Sequence, residues 1–423
     1  MSWVEVVLGL LALILVHEAG HFTVARLVGA KATRFLVGFP PVAASFRRGE
    51  TEYGIGAIPL GGYVRIVGMN RPTPDDLVIC QDALEEIDLR RVEGQPDLLR
   101  PAVAALRSAI ADGAPASTCQ TLVDRAALAV EADAHLLHPK TLAETRGNLE
   151  KLRDDLDRRA YWRLPVGRRI AIILAGPGAN VLAALVILTV FFWHGVPLQR
   201  TSTEVAAVTG APAVAAGLQP GDTITAVDGK PVQGDWQRVS RDVQASHGAP
   251  VVLTVQRDGA TATLRPVRPQ RVQGRWLLGF SFQQVPDGVR RASLPAAAAD
   301  SVRWSWFVTR ESVAGLARIF TTADGHKQVS SIVGITAASE QSVQDGSFLW
   351  MLGVISLALA IFNLLPFLPL DGGHIVVAVA EKLRGGRPLS RAVIERVSIA
   401  GIALVMVLFA IGLTNDIGRF TGP

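Results

Sequence analysis

Five residues near the start of the chain, His17, Glu18, Ala19, Gly20 and His21, form an HExxH motif. On a helix, His17 and His21 are one turn apart and project from the same face, where two imidazoles can bind one zinc ion. Glu18 lies beside them and can take the proton from a water molecule that attacks a peptide carbonyl. The motif therefore predicts a zinc site with an adjacent general base.

The motif lies inside an apolar stretch, residues 3–28. Ionisable side chains within a membrane are costly, so their presence there indicates a function, and a surface helix with unrelated histidines is disfavoured. The stretch lacks the positively charged start and the small-residue cleavage site of a signal peptide. We therefore predict that it is a retained membrane span.

A catalytic zinc site needs a third protein ligand and keeps its fourth position open. The best candidate is Asp371, which ends the segment NLLPFLPLD at residues 363–371. Pro366 and Pro369 break a helix there, and unwound backbone at membrane depth is tolerated where it is buried in protein or lines a wet cavity. The alternative is that Asp371 caps the following helix, but an HExxH motif without a third ligand favours ligation.

The composition lies between that of a soluble protein and that of a pure membrane bundle. Of the 423 residues, 49% are hydrophobic and 19% are charged, which fits a few spans joined to water-exposed domains. Four apolar stretches have the length needed to cross a hydrocarbon core of roughly 30 Å: residues 3–28, 170–193, 348–370 and 394–413. Arginines beside these stretches explain the net charge of +5 better than nucleic-acid binding does, so no nucleic-acid partner is predicted.

Lysine and arginine residues flank the apolar stretches unevenly. They are frequent in the connection 382–396, before the second stretch and after the first, whereas none precedes the first stretch. Basic residues collect on the cytoplasmic side of membrane proteins. We therefore predict that loops 29–168 and 380–393 are inside and that both termini are outside.

Two water-exposed regions have strand-like patterns. Residues 203–285 contain short strands separated by the hairpin-type turns VDGK and RDGA, and a short helix within this region ends at Gly217. Residues 31–68 also alternate like strands and carry several glycines. Both regions are expected to form antiparallel sheets.

A third region, residues 75–162, is rich in Ala, Leu, Glu, Asp and Arg and has opposite charges at helical spacing. The simplest interpretation is a solvated helical hairpin. The chain's two cysteines, Cys80 and Cys119, lie in this region. We expect them to be reduced and inert.

Together these motifs resemble the site-2 protease family of intramembrane metalloproteases, and most closely its RseP-type branch, which carries a PDZ domain. HEAGH (17–21) matches the family's HExxH, and NLLPFLPLDGG (363–373) is similar to its NxxPxPxLDGG. GPGAN (176–180) resembles the second-span signature GPxxN, and IPLGGYV (58–64) resembles a segment of the family's cytoplasmic β-loop. Residues 214–232 resemble PDZ domains.

The resemblance implies an α-helical polytopic membrane protein with four transmembrane helices, a cytoplasmic membrane-associated β-loop and an extracytoplasmic mixed α/β PDZ domain. The transmembrane helices are expected at residues 1–30, 168–196, 347–384 and 391–414. The other expected segments are the β-loop at 31–70, a cytoplasmic helical insert at 71–165, the PDZ domain at 203–286 and an extracytoplasmic helical linker at 290–346.

The resemblance also assigns roles to individual residues. Zn²⁺ would be held by His17, His21 and Asp371, and Glu18 would be the general base. Asn363 would hold the substrate backbone or the developing oxyanion. Other residues expected to contact substrate are Gly61, Gly62, Tyr63, Pro366 and Pro369. Asn180 is a further candidate, which either bonds to a neighbouring helix or touches substrate.

The implied activity is regulated intramembrane proteolysis of single-pass membrane proteins. The implied substrates are anti-sigma factors, cut after another protease has removed their outer domain, and remnant signal peptides. The protein is expected to span the lipid bilayer of a bacterial inner (cell) membrane several times. Its termini and PDZ domain would be extracytoplasmic, and its active site would lie toward the cytoplasmic side.

Two other classes of function fit the sequence less well. A catalytically silent PDZ scaffold has no need to keep the Glu18 carboxylate beside a metal in hydrocarbon, so the intact motif argues against it. A zinc transporter would be expected to show internal repeats and sites at the midplane, and the sequence has no such repeat. A membrane-embedded protease is the favoured interpretation.

Overall fold

The computed structural model describes residues 2–91, 96–272, 274–321 and 348–421. The chain divides into two compact units. The first consists of Met1–Val190 together with Ala298–Pro423, and the second, which we call the strand-rich unit, is Phe191–Ala297.

The described elements follow one another in this order: α1 (Ser2–Leu27), β1 (Ala32–Arg48), β2 (Thr51–Ile66), α2 (Val78–Arg90), α3 (Leu99–Ala111), α4 (Ala116–Ala132), α5 (Pro139–Asp155), α6 (Val166–His194), β3 (Val196–Val208), α7 (Ala211–Ala216), β4 (Thr223–Val227), β5 (Lys230–Pro231), α8 (Trp236–Ala245), β6 (Leu253–Arg257), β7 (Ala260–Thr263), β8 (Gln270–Val272), β9 (Arg275–Leu277), β10 (Phe280–Arg290), α9 (Leu294–Thr321), α10 (Phe348–Asn363), α11 (Asp371–Leu383) and α12 (Arg391–Thr421). Short 3-10 turns lie at Pro74–Leu77, Ala134–Leu136 and Tyr161–Arg163.

Among the described residues, three helices are long and apolar enough to cross a membrane: Val4–Leu27, Val166–His194 and Arg391–Thr414. The region predicted as the third transmembrane helix, residues 347–384, contains two helices instead. α10 has 16 residues and begins where the described chain resumes. Residues 364–370 between α10 and α11 are not helical, as the two prolines predicted.

β1 and β2 form the sheet that was predicted at residues 31–68. Residues 34–37 of β1 pair on one side with residues 62–65 of β2 and on the other with residues 52–55. The far half of β1 pairs with the first half of β2. Each long strand therefore bends, so that its two halves pair with different parts of the other strand. In this arrangement residues 62–66 of β2 lie at one edge of the sheet.

The region predicted as a solvated helical hairpin, residues 75–162, has more structure than expected. Its described residues form four helices, α2 to α5, around a shared apolar core. α3, for example, buries Leu99, Val103 and Leu106, a spacing that puts them on one face. The hairpin interpretation is therefore wrong. The four helices pack their apolar faces against one another and enclose a core, which a hairpin of two helices could not do.

The two cysteines lie within this helical core. Both thiols are free and buried, and neither has a disulfide partner. Burial raises the pKa of the Cys80 thiol to about 11. A thiol is reactive as its thiolate, so a raised pKa keeps Cys80 protonated at neutral pH and supports the expectation that it is inert.

The strand-rich unit contains an antiparallel sheet with the strand order β10-β3-β4-β6-β7, and β5 pairs with β4. The predicted turns Asp228-Gly229 and Asp258-Gly259 join paired strands, and all four residues have positive φ. Positive φ at both central residues defines the type I′ turn of two-residue hairpins. α7 ends at Gly217 with φ +84°, as its sequence predicted.

An ion pair with a buried carboxylate lies in the strand-rich unit. Asp222 is 1% exposed and accepts hydrogen bonds from Arg257 Nε at 2.6 Å and Nη2 at 2.7 Å. The backbone N–H of Gln219 donates a further bond of 2.8 Å to this carboxylate. These bonds from the Arg257 guanidinium hold the pKa of Asp222 below its ordinary value.

The predicted helical linker at residues 290–346 is described only in part. α9 covers Leu294–Thr321, and residues 322–347 lie outside the described chain. α9 packs on α6 through Ser301, whose hydroxyl is 2.9 Å from that of Thr189.

Candidate metal centre

Three side chains from two helices converge within the apolar part of the chain. His17 and His21 lie one turn apart on α1, and their Nε2 atoms are 3.1 Å apart. Asp371 is the first residue of α11, and its Oδ2 is 3.2 Å from each of those nitrogens. The structure therefore brings the three predicted ligands together as a nearly equilateral triangle of donor atoms.

The geometry and chemistry of this triangle fit a zinc ion. Ligand atoms 2.0–2.1 Å from a tetrahedral zinc are separated from one another by roughly 3.3–3.4 Å. The separations of 3.1 and 3.2 Å in the structure are close to that value. Asp371 Oδ2 is buried, yet it receives no hydrogen bond of acceptable geometry from the described residues. Electron-pair donors that face one another repel, and a cation between them removes that repulsion.

Asp371 is not a helix cap, the alternative role that the sequence allows. The cap position of α11 is Leu370, and Asp371 belongs to the first helical turn. The positive end of the helix dipole favours a carboxylate there. The two following glycines are needed because the unwound segment folds closely over the helix start. A Cβ on Gly373, for example, would lie 2.6 Å from the carbonyl carbon of Phe367.

The backbone of α6 orients His21. His21 Nδ1 is 2.8 Å from the carbonyl oxygen of Ile172. A carbonyl oxygen can only accept a hydrogen bond, so Nδ1 carries the proton. Nε2 is then left with its lone pair directed at the other two ligands, which is the tautomer that metal-binding histidines use.

Small residues allow α6 to approach the two histidines. A Cβ on Gly176 would lie 2.6 Å from His21 Cε1 and 2.8 Å from His17 Cε1. On the facing helix, a Cβ on Gly20 would lie 2.8 Å from the Cβ of Ala179. Close approach of helix backbones in a membrane depends on such small residues. The small residues of the GPGAN motif therefore leave room for the histidine rings. The sequence alone identified this motif only as a family signature.

Asn180, at the end of the same motif, is completely buried. Its side-chain amide nitrogen lies 3.3 Å from His17 Nδ1. Its backbone carbonyl accepts a 2.8 Å hydrogen bond from the hydroxyl of Ser356 on α10. Asn180 thus contacts both a candidate ligand and a neighbouring helix.

The edge of the β-sheet lies beside the candidate general base. A Cβ on Gly62 would be 2.7 Å from the Cγ of Glu18, so a glycine is needed at position 62 for this approach. Gly61 adopts φ +99°, a conformation that side chains larger than hydrogen disfavour. Tyr63 continues the strand and pairs with Leu36. The three β-loop residues predicted to contact substrate therefore lie on the strand next to Glu18.

The unwound segment carries the other predicted substrate contacts. Asn363 ends α10, and its side-chain amide donates a 3.0 Å hydrogen bond to the carbonyl of Leu359 one turn earlier. The second N–H of this amide and its Oδ1 make no hydrogen bond to the described residues, so both are available to a substrate. Pro366 and Pro369 are both exposed, so their faces are accessible.

A buried ion pair fixes the helix that carries Asp371. Arg169 of α6 donates a 2.8 Å hydrogen bond to Glu381 of α11, and the side chains are 10% and 15% exposed. The Arg169 guanidinium also lies 5.0 Å from the ring centroid of Tyr161, within the range of a cation–π interaction. Sequence reasoning did not identify this pair, because its members are far apart in the chain.

The fold and the site together define a class of protein. One of the apolar helices long enough to cross a membrane carries an HExxH motif, and an aspartate from another helix lies beside it in an arrangement that could hold a metal ion. The sequence profile of Peptidase family M50 matches residues 5–408. The chain therefore belongs to this family of metalloproteases, the site-2 proteases, as the sequence motifs predicted, and it is a polytopic membrane protein.

Named relatives are similar to the chain over most of its length. Zinc metalloprotease RasP of Geobacillus kaustophilus is 28% identical over 97% of this chain and 96% of its own. Metalloprotease MmpA of Caulobacter vibrioides is 29% identical over 96% of this chain and 92% of its own. Zinc metalloprotease Rip1 of Mycobacterium tuberculosis is 29% identical over 89% of this chain and 85% of its own. The predicted cofactor, Zn²⁺, agrees with the names of the first and third relatives.

Proposed function

We propose that this chain is an intramembrane zinc metalloprotease that hydrolyses peptide bonds within the transmembrane segments of single-pass membrane proteins. The observation that carries the proposal is the convergence of His17, His21 and Asp371 within apolar helices. A protease site enclosed by such helices acts on a segment that lies in the membrane. The family membership supports the same reaction.

His17, His21 and Asp371 would hold the zinc ion. When bound there, zinc supplies Lewis acidity toward the scissile carbonyl and the attacking water. Glu18 takes the proton from that water and returns it to the leaving amide nitrogen, which is the role of a general base followed by a general acid. The carboxylate has no hydrogen bond to the described residues and is half-buried, so it is available for this transfer.

The edge strand beside Glu18 explains how a helical substrate becomes cleavable. A peptide carbonyl in an intact helix is shielded by the helix itself, so the substrate must unwind. Residues 62–66 offer unpaired backbone groups at the sheet edge, and an extended peptide can add to such an edge as a further strand. Gly61, Gly62 and Tyr63 would then align the scissile bond, and Pro366 and Pro369 would line the opposite wall.

Asn363 is proposed to hold the substrate backbone or the developing oxyanion. Its amide already serves as a hydrogen-bond donor, to Leu359. Donating its second N–H to the oxyanion would stabilise the charge that develops in the transition state.

The proposed substrates are anti-sigma factors that have lost their outer domain and remnant signal peptides. The proposed location is a bacterial inner membrane, with the termini and the strand-rich unit outside the cytoplasm and the active site toward the cytoplasmic side. The basic loops of the sequence support this orientation. The strand-rich unit would act as a PDZ domain that excludes large substrates or recognises newly made ends. No nucleic-acid partner is proposed.

The test is cleavage of a tagged anti-sigma-factor span, truncated outside the membrane, by the purified full-length protein in detergent. Glu18→Gln is expected to lower the cleavage rate by roughly 100- to 10,000-fold, the range for loss of a general acid–base group, while bound zinc is retained. Glu5→Gln makes the same change at an exposed position of the same helix and is expected to cleave normally. A chelator should abolish cleavage, and added zinc should restore it. Equal cleavage by the Glu18→Gln variant would rule out the proposed mechanism.

A further inference from the structure

The amide of Asn180 lies behind His17, on the side of the ring that faces away from the other ligands. Asn180 is 0% exposed, and its Nδ2 is 3.3 Å from His17 Nδ1. Its Oδ1 is buried and has no hydrogen-bond partner among the described residues. A buried amide oxygen without a donor is costly.

The chemistry of His17 supplies that proton. His17 Nε2 faces His21 and Asp371, so Nε2 must offer a lone pair when a metal is bound. The ring proton is then on Nδ1, and Nδ1–H needs an acceptor. An amide that presents its NH₂ group to Nδ1 favours the opposite tautomer, which places the proton on Nε2 and blocks ligation.

A half-turn of the Asn180 amide exchanges its oxygen and nitrogen without moving any other atom. In that orientation Oδ1 accepts the hydrogen bond from His17 Nδ1. The tautomer of His21 is fixed, because its Nδ1 donates at 2.8 Å to the backbone carbonyl of Ile172, which cannot exchange its oxygen for a donor. The two histidines therefore differ: the backbone fixes the tautomer of one, and a side-chain amide fixes that of the other.

We propose that Asn180 is a positioning residue that selects the metal-binding tautomer of His17 by accepting the hydrogen bond from His17 Nδ1. The inference rests on the proposed metal site. It gives Asn180 a role through His17 rather than through substrate, because its side chain is fully enclosed by protein. Hydrogen-bond partners behind metal-binding histidines orient the ring and raise the basicity of the ligating nitrogen.

The test measures the zinc affinity of the full-length protein by competition with a chromophoric chelator. Asn180→Leu keeps a similar side-chain size and removes the acceptor, and it is expected to weaken zinc binding by roughly 10- to 100-fold. Asn180→Asp keeps an acceptor oxygen and is expected to bind zinc within a fewfold of the parent. The thermal unfolding midpoint of each variant is recorded alongside.

Ser356→Ala is the matched control for helix packing. It removes the 2.8 Å bond from the Ser356 hydroxyl to the Asn180 backbone carbonyl and leaves the amide beside His17 in place. We expect this variant to unfold at a lower temperature with unchanged zinc affinity. If Asn180 served packing alone, Asn180→Leu would resemble Ser356→Ala, with zinc affinity unchanged.

Two results would overturn the inference. One is parent-like zinc affinity in Asn180→Leu, and the other is equal weakening in Asn180→Leu and Asn180→Asp. His17→Ala separates these results from a failure of the metal site itself. If His17→Ala loses zinc while Asn180→Leu keeps it, only the role of Asn180 is wrong. If His17→Ala binds zinc like the parent, the proposed site is wrong and the inference fails with it.

Discussion

Two carboxylates with buried oxygen atoms, one in each unit of the chain, have contrasting surroundings. Asp222 in the strand-rich unit receives two hydrogen bonds from the Arg257 guanidinium and one from a backbone N–H. Asp371 at the metal centre faces two imidazole nitrogens at 3.2 Å. Its Oδ2 accepts no hydrogen bond of good geometry within the described chain. The first carboxylate is neutralised by an arginine of its own chain, whereas no arginine or lysine in the described part of the chain pairs with the second.

The difference distinguishes a structural ion pair from a functional site. A buried charge must be paired or must coordinate a metal. Arg257 pairs with Asp222, so this site is complete without any added group. The donor atoms around Asp371 are instead proposed to share a cation supplied from outside the chain. A buried acidic group surrounded by further electron-pair donors is therefore the stronger indication of a metal centre.

The largest effect is expected from Asp371→Asn, which replaces the carboxylate with a neutral amide of the same shape. Zinc affinity should fall by more than roughly 100-fold, the upper end of the effect for residues that merely orient a ligand, and cleavage should become undetectable. Zinc content after dialysis against a weak chelator checks this result. Asp222→Asn, the same change at the other carboxylate, should leave zinc content unchanged; zinc retained in Asp371→Asn would contradict the ligand assignment.

A large effect is also expected from Gly176→Ala, because the added methyl group would meet both imidazole rings. Displacement of catalytic groups by about 1 Å can cost roughly 100-fold in rate, and we expect a loss of at least this size in cleavage. Gly178→Ala is the control, since a Cβ there has no contact within 4 Å. Similar cleavage rates for the two alanine variants would mean that the close approach of α6 to the histidines is not needed.

Arg257→Met removes the partner of the Asp222 carboxylate. It should lower the stability of the strand-rich unit and leave cleavage chemistry unchanged. Removal of the partner leaves Asp222 buried and unpaired, which costs 3–5 kcal/mol in fully buried pairs. Arg257 is 31% exposed, so we expect about 2 kcal/mol, with solvent screening part of the charge. Hydrogen exchange of peptides from the strand-rich unit in the full-length protein measures the loss. Arg268→Met, at an exposed position, should change exchange little.

The smallest effect is a pH dependence of stability that comes from Asp222. Its pKa is lowered in the folded state by Arg257, so the folded chain binds this proton less readily than the unfolded chain. The stabilisation is therefore complete above the ordinary carboxyl pKa of about 3.9 and is lost as the pH falls through the lower folded pKa.

Thermal unfolding of the parent and of Asp222→Asn across this pH range checks the prediction. The difference between the two midpoints should be constant from about pH 5 to pH 8, where the carboxylate is charged in both states. The difference should shrink below about pH 4. A difference that grows as the pH falls would mean that the sign of the linkage is wrong.

Much of the fold followed from local patterns. The Asp-Gly pairs at 228–229 and 258–259 specified hairpin turns, because few other residues adopt positive φ twice in succession. The helix that ends at Gly217 was predicted for the same kind of reason. The helical insert was only partly predicted. Its helices were expected from composition, but the core that α2 to α5 share depends on contacts between distant segments.

The candidate site shows the same division. HExxH spacing puts two imidazoles on one face of a helix, because the helix repeats every 3.6 residues. Asp371 was predicted because a catalytic zinc site needs a third protein ligand. The Ile172 carbonyl and the steric role of Gly176 were not found, because neither backbone acceptors nor close approaches have a signal in residue type alone.

The sequence by itself determined which residues carry the chemistry and which segments are apolar, because residue type fixes ligand character and the cost of placing a charge in hydrocarbon. The tertiary structure alone decided how these residues meet. It set the 3.1–3.2 Å triangle of His17, His21 and Asp371 and placed Asn180 behind His17. Such distances depend on the packing of α1, α6, α10 and α11, and packing is a sum of many contacts between segments far apart in the chain.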